Sequence, residues 1–335
     1  MQKVIISRTD SIGDVILTLP MAGKLKEMLP GCFVIFLGRD YTRDIVSLSE
    51  HVDEFISWDD IVKLKSKEDR VSAIRKTEAD TIIHVFPRKE IAYLAKRAGI
   101  QDRIGTSGRL YHYFTCNILV KFSRKRSDLH EAQLNFKLLK PLGWNKPIRL
   151  EEIEKYYGLT NKSVLSEEFS SLIDPSKVNL ILHPKSKGSA REWGLSNFQQ
   201  LVDMLNKSKY KVFITGTEDE GELVRKQISF NHGCVDLCGK MNLGQLIAFI
   251  SETDGLIAAS TGPLHIAAAL GKLVIGIFPP IKPMHPGRWA PVGPNATHLV
   301  LNKDCAECRK EGICQCMKEI QPQKVKQVLD GYFGK

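Results

Sequence analysis

The sequence predicts an α/β chain of two successive parallel-sheet domains, and three observations predict it. Short apolar runs without polar alternation recur along the chain, as in strands buried on both faces. Helical patterns separate those runs, as in strand–helix–strand units. The series restarts at Val178 after a polar, irregular stretch over 151–177, and 335 residues suit two domains. The expected boundaries are 1–165, 166–320 and a terminal helical segment, 321–335.

Each element has its reason. KVIIS, CFVIFLG, EFIS and DTIIHVF read as strands of the first half. NLILHP, KVFITG, DGLIAAS and KLVIGIF read as strands of the second. SNFQQLVDMLNKS and LGQLIAFISET carry apolar residues at helical spacing. QPQKVKQVLDGYF reads as the last helix, with Pro322 in its first turn, where proline is tolerated.

Composition bounds the function. The chain is 43% hydrophobic and 26% charged, as in ordinary globular proteins. No stretch approaches the roughly 18 apolar residues of a membrane span. It opens on strand-like MQKVIIS, not on a charged head and apolar leader, so a cytoplasmic location is expected. The net charge is +10 and uneven: residues 1–150 carry 26 Lys+Arg against 18 Asp+Glu, and the remainder 22 against 20. That asymmetry favours anionic partners such as phosphates or anionic lipid. The densest basic piece, KFSRKRS, includes Lys121 and Arg124; a solvated loop is the equal alternative. The aromatic residues form no stacking stripe and no binding motif appears, so nucleic acid is not expected as a partner.

Three stretches after strands carry chemistry, because ligands of open α/β sheets bind beyond the carboxyl ends of the strands. RTDSIGDVILTLP holds Arg8, Ser11, Gly13 and Asp14. Asp14 at a helix start is either an N-terminal cap or a carboxylate at the mouth of a site. The loop is no G-x-G-x-x-G, which argues against a dinucleotide site there. HPKSKGSAREWGLSNFQQL offers Lys185, Ser189 and Arg191, with Ser196 as the expected N-cap. Cations and hydroxyls beside a helix start suit a diphosphate, and an exposed basic turn is the alternative. AASTGPLHIAAALGK breaks a strand at Ser260, Thr261 and Gly262. It presents a hydroxyl and backbone N–H groups at a helix N-terminus, with His265 one turn in, as a ligand or as a packed core residue.

Taken together, RTDSIGDVILTLP, HEAQLNFKLLKPLG, SAREWGLSNFQQL, STGPLHIAAALG and FPPIKPMHPGRWAPVGP resemble the ordered motifs of glycosyltransferase family 9. This is the ADP-heptose:lipopolysaccharide heptosyltransferase family. The resemblance runs from Lys3 to about Val328. It implies the GT-B architecture: two Rossmann-like domains facing across a cleft, an N-terminal acceptor domain, a C-terminal nucleotide-sugar domain, and a final helix packing back on the first. It implies an inverting, metal-independent transfer without a cofactor, the donor being a co-substrate. Asp14 matches the family's general base. Arg191 matches a phosphate-contacting lysine, Thr261 and Gly262 the phosphate turn, and His265 a histidine on the same helix. The implied donor is ADP-heptose and the implied acceptor an anionic lipid-linked saccharide at the inner face of the cytoplasmic membrane. Arg8, Ser11, Gly13, Lys121 and Arg124 are acceptor candidates by position and charge. Ser260 departs from the usual family aspartate, which leaves open a different nucleotide sugar in surface polysaccharide assembly. A non-catalytic nucleotide-sugar-binding module is the remaining alternative.

Cys305, Cys308, Cys314 and Cys316 form a tight cluster. The first pair has zinc-knuckle spacing and the second pair is too close for it, so no metal is expected, with zinc there as the minor alternative.

Overall fold

The computed structural model describes residues 1–161, 164–230, 233–303, 305 and 314–334. The chain divides into two compact units, Met1–Asn161 and Lys162–Lys335. The division falls a few residues before the expected 165/166.

The first unit is a six-stranded sheet: β1 Lys3–Ser7, β2 Phe33–Gly38, β3 Glu54–Ser57, β4 Thr81–His84, β5 Asp102–Thr106 and β6 Ile118–Val120. All neighbours are parallel, in the order β3-β2-β1-β4-β5-β6. The chain lays strands outward from β1, then crosses back and builds β4 to β6 on the other side. The direction reverses between β1 and β4, and a crevice opens at such a reversal. Ile5, Ile35, Leu37 and Ile82 line one face of the sheet. Helix Lys89–Ala98 covers them with Ile91 and Leu94, and helix Lys67–Arg75 with Val71 and Ile74. A reciprocal Ser66–Asp69 capping box starts the second of these helices.

The second unit repeats the plan with β7 Val178–His183, β8 Tyr210–Ile214, β9 Cys234–Asp236, β10 Gly255–Ala259, β11 Leu273–Phe278 and β12 Ala296–Val300. The order is β12-β11-β10-β7-β8-β9, again parallel, with the reversal between β7 and β10. Leu180, Leu182, Ile257 and Ile275 meet Phe198 and Leu201 of helix Leu195–Met204 in its core. Gly293 permits a close approach to the helix that carries Ala267–Ala269: a Cβ there would lie 2.0 Å from the carbonyl oxygen of Ala268.

The terminal helix is Pro322–Phe333. Its buried Val325 and Leu329 belong to the core of the second unit, where it packs on helix Leu195–Met204. Trp193 adds an indole hydrogen bond to the carbonyl of Ile320 at 2.7 Å, and Asn197 one to that of Lys318 at 2.9 Å.

His84 closes β4 and is fully buried, 5.7 Å from the ring of His112. Burial, reinforced by His112 and Arg103, pushes it down to about 3. Burial likewise lowers His183 to about 4. Both stay neutral in the fold, whereas the unfolded chain protonates them near pH 6.5. Their stabilisation is therefore complete above pH 6.5 and is lost as pH falls toward 4. Each histidine should contribute a slope of about 1.4 kcal/mol per pH unit across that window. Urea titrations between pH 7 and 4.5 check this, and His84→Leu should remove one proton's worth of the slope.

Candidate active site

β1 delivers its loop to the reversal point of the first sheet. Ser11 is the N-cap of the short helix Ile12–Ile16, and Asp14 lies in its first turn. The Asp14 carboxylate accepts hydrogen bonds from the Arg8 guanidinium and the Ser11 hydroxyl. It caps no backbone N–H in this arrangement; its partners are side chains that aim it. Its side chain keeps 15% exposure while that of Arg8 has 3%, so the acid is reachable and its anchor is not.

Arg8 is the centre of a buried cluster. Its Nε donates to Asp10 at 2.6 Å and its Nη1 to Glu131 at 3.1 Å. Arg124 donates to the same Glu131 carboxylate, and to Asn135 Oδ1 and the Val85 carbonyl, each at 3.1 Å. Asn135 completes the frame by donating to the Leu17 carbonyl at 3.0 Å. Burial opposes the charge on Arg8, but Asp14, then Asp10 and Glu131, outweigh it and hold the guanidinium above its ordinary value. Asp10 lies in the same cluster. Burial pushes its carboxyl up to about 6 and nearby Asp14 adds to the shift, with Arg8 opposing both.

Of the acceptor candidates, Arg8 is buried and bonded to Asp10, Asp14 and Glu131, and Arg124, half-buried, is bonded to Glu131 and Asn135. Ser11 is turned onto Asp14, Gly13 lies in the same helical turn, and Lys121 is exposed beyond β6.

In the second unit, β7 and β10 are neighbours, with Ala258 paired to His183. The stretch after each strand therefore opens at the same reversal point, bringing the Lys185–Arg191 loop beside Ser260–Gly262. Lys185 is held by Glu192 at 2.5 Å, and Glu192 also accepts the Ser186 N–H at 3.1 Å. Ser189 donates to the Ser186 carbonyl at 2.7 Å. Lys187 takes a left-handed φ of 48°, and Glu220 holds its N–H at 2.8 Å. A non-glycine residue there stores local strain, a recurrent feature of ligand loops. Arg191 is half-buried on the same loop. The helix that follows is capped at Gly194, φ 102°, not at Ser196, which is exposed. The left-handed glycine turns the chain into the helix two residues earlier than expected.

Thr261 is the N-cap of helix Gly262–Ala269, yet its hydroxyl makes no capping bond. That Oγ1 is buried and has no hydrogen-bond partner among the described residues. A buried hydroxyl without a partner is costly, and a bound phosphate oxygen would satisfy it. Ser260 is half-buried beside it, and His265, 3% exposed, lies on the helix one turn in.

Cys308 lies outside the described residues. Cys305 is half-buried and Cys314 and Cys316 are buried. Among the described residues no group of three metal-binding side chains is close enough to hold an ion.

Residues 71–318 match the model of glycosyltransferase family 9 (heptosyltransferase). A putative glycosyltransferase of Haemophilus influenzae is 24% identical over 93% of this chain and 91% of its own. The lipopolysaccharide heptosyltransferase 2 of Escherichia coli is 20% identical over 98% and 97%. Among solved structures, a family 9 glycosyltransferase of Veillonella parvula superposes with a TM-score of 0.80 at 19% identity, covering 98% of this chain and 96% of that one. E. coli heptosyltransferase WaaC with ADP gives 0.72, also at 19%, covering 98% and 99%. The chain belongs to glycosyltransferase family 9 and is a glycosyltransferase of GT-B fold, related to lipopolysaccharide heptosyltransferases.

Glu131→Gln should cost about 3 kcal/mol in urea unfolding, because it strips a buried cation of its partner. Lys121→Gln, on the surface, should stay within about 0.5 kcal/mol.

Proposed function

We propose that this protein is an inverting glycosyltransferase that moves heptose from ADP-heptose to an anionic, lipid-linked lipopolysaccharide core acceptor at the inner face of the cytoplasmic membrane. One observation carries the reading. Each sheet offers one half of a transfer site at its reversal point: an aimed, accessible carboxylate on the first, and an unsatisfied hydroxyl at a helix N-terminus beside a basic loop on the second.

The chemistry follows from those halves. An acceptor hydroxyl attacks the anomeric carbon while Asp14 takes its proton. The bond from that carbon to the diphosphate oxygen breaks on the opposite face, so configuration inverts in a single displacement. Charge then builds on the departing nucleoside diphosphate. Arg191, the Thr261 hydroxyl and the N-terminus of helix Gly262–Ala269 are suited to receive it. Arg8 and Ser11 keep Asp14 oriented, and Lys185, Ser189 and Gly262 shape the diphosphate loop and turn. WaaC, solved with ADP, lends support to an adenine donor.

A second reading changes the donor only. Ser260 puts a neutral side chain next to the phosphate turn, where the family motif has an aspartate, and a different sugar nucleotide suits a pocket with one less negative charge.

Calorimetric titration with ADP, UDP, GDP and CDP, chelator present, separates the two. Binding of ADP alone supports ADP-heptose; preference for another nucleotide moves the donor; binding of none overturns the donor half. Asp14→Asn should lower transfer by 10²- to 10⁴-fold with nucleotide affinity unchanged. Asp10→Asn should leave a larger residual rate, and the reverse ranking would move the base to Asp10.

A further inference from the structure

Exposed large hydrophobic side chains are scattered over the described surface with one exception. Leu110 is 78% exposed, Phe114 63%, Tyr113 56% and Tyr93 42%, and these four of ten such residues lie together. Leu110 and Tyr113 are joined through one tight turn, which runs into the short helix His112–Thr115. That helix packs against Lys89–Ala98, the helix of Tyr93, and Lys96 ties the two by donating to the Phe114 carbonyl at 2.8 Å. Side chains of this size left in water as a group mark an interaction surface.

The charge around them is one-sided. Residues 88–126 carry ten Lys+Arg against two Asp+Glu, while the rest of residues 1–150 balances at sixteen against sixteen. The whole positive excess of the first domain is therefore in the segment that carries the apolar patch. Lys89 stands beside the Tyr93 ring, Arg109 is exposed next to Leu110, and Lys121, Lys125 and Arg126 are exposed past the edge strand β6. Aromatic and aliphatic side chains ringed by cations match the headgroup layer of an anionic bilayer: the rings seat at the acyl boundary and the cations meet phosphates.

We propose that the Leu110–Phe114 turn and the adjoining face of helix Lys89–Ala98 dock this protein onto an anionic lipid bilayer. The surface lies on the domain that holds Asp14, at the sheet edge formed by β5 and β6. It deepens the membrane-proximal acceptor proposed above and rests on that reading only for which membrane is met.

The test is co-sedimentation of the full chain with vesicles of phosphatidylethanolamine and phosphatidylglycerol, against phosphatidylcholine alone, with no donor or acceptor present. Its outcome is thereby independent of the transfer reaction. Binding should require phosphatidylglycerol and weaken as salt rises. The triple variant Leu110→Ser, Tyr113→Ser, Phe114→Ser should lower partitioning more than tenfold. The double variant Lys89→Glu, Arg109→Glu should lower it at least tenfold, with circular dichroism unchanged in both. A Leu110→Trp probe should shift its emission to the blue on binding. No binding to anionic vesicles, or variants that bind like the parent, overturns the proposal. So does a triple variant that only dissociates a dimer in sedimentation velocity, because the patch is then a contact between copies.

Discussion

A buried guanidinium demands negative charge on every side, and the first domain is arranged to supply it at Arg8. The loop after β1 contributes Asp10 and Asp14, and helix Glu131–Phe136, more than a hundred residues later, contributes Glu131. Asp14, Asp10 and Glu131 together offset the desolvation of the cation. The requirement therefore fixes the loop, the later helix and the direction of the Asp14 carboxylate in one step. Arg124 and Asn135 extend the same frame to β4 and to the end of helix Ile12–Ile16. Within this cluster the Asp14 side chain keeps 15% of its surface exposed.

The two units share a topology and differ in what they place at the reversal of strand order. The first gathers carboxylates around a buried guanidinium. The second gathers hydroxyls, N–H groups and cations, with Glu192 and Glu220 holding the loop in shape. One plan thus presents two complementary chemistries, one suited to accepting a proton and the other to accepting an anion. The scaffold contributes position; the loops after β1, β7 and β10 contribute the difference.

Much of this was legible in the residues. Central strands announce themselves, because burial on both faces leaves an unbroken apolar run, and the restart at Val178 is the first residue of β7. Four others do not: DRIGT of β5, ILV of β6, CVD of β9 and ATHLV of β12 are short or part-polar. The candidate loops were legible by their place after strands. Their internal partners were not. Glu131 sits in a helical run as an ordinary charge, and only the fold shows that it is 1% exposed against Arg8. Glu192 was visible between Arg191 and Trp193, yet nothing local says that it holds Lys185. The partners of Arg8 and Arg124 were hidden for the same reason: a cation in a loop looks available until its partners, distant in sequence, are known. The Gly194 cap was hidden because Ser196 offered a better side chain, while the backbone used the glycine's positive φ.

The hydrogen bond from the Trp193 indole to Ile320 spans 127 positions of chain. Together with the buried Val325 and Leu329, it makes the segment that leads into helix Leu195–Met204 lean on residues near the far end of the polypeptide. During synthesis the first domain has all its strands and its Arg8 cluster available once residue 161 is clear of the ribosome. The second has all six strands by residue 300 but still lacks the helix that seats Trp193. Its basic loop would then settle later than the Arg8 cluster, and nascent chains stalled in that interval would expose an apolar surface for chaperones to cover.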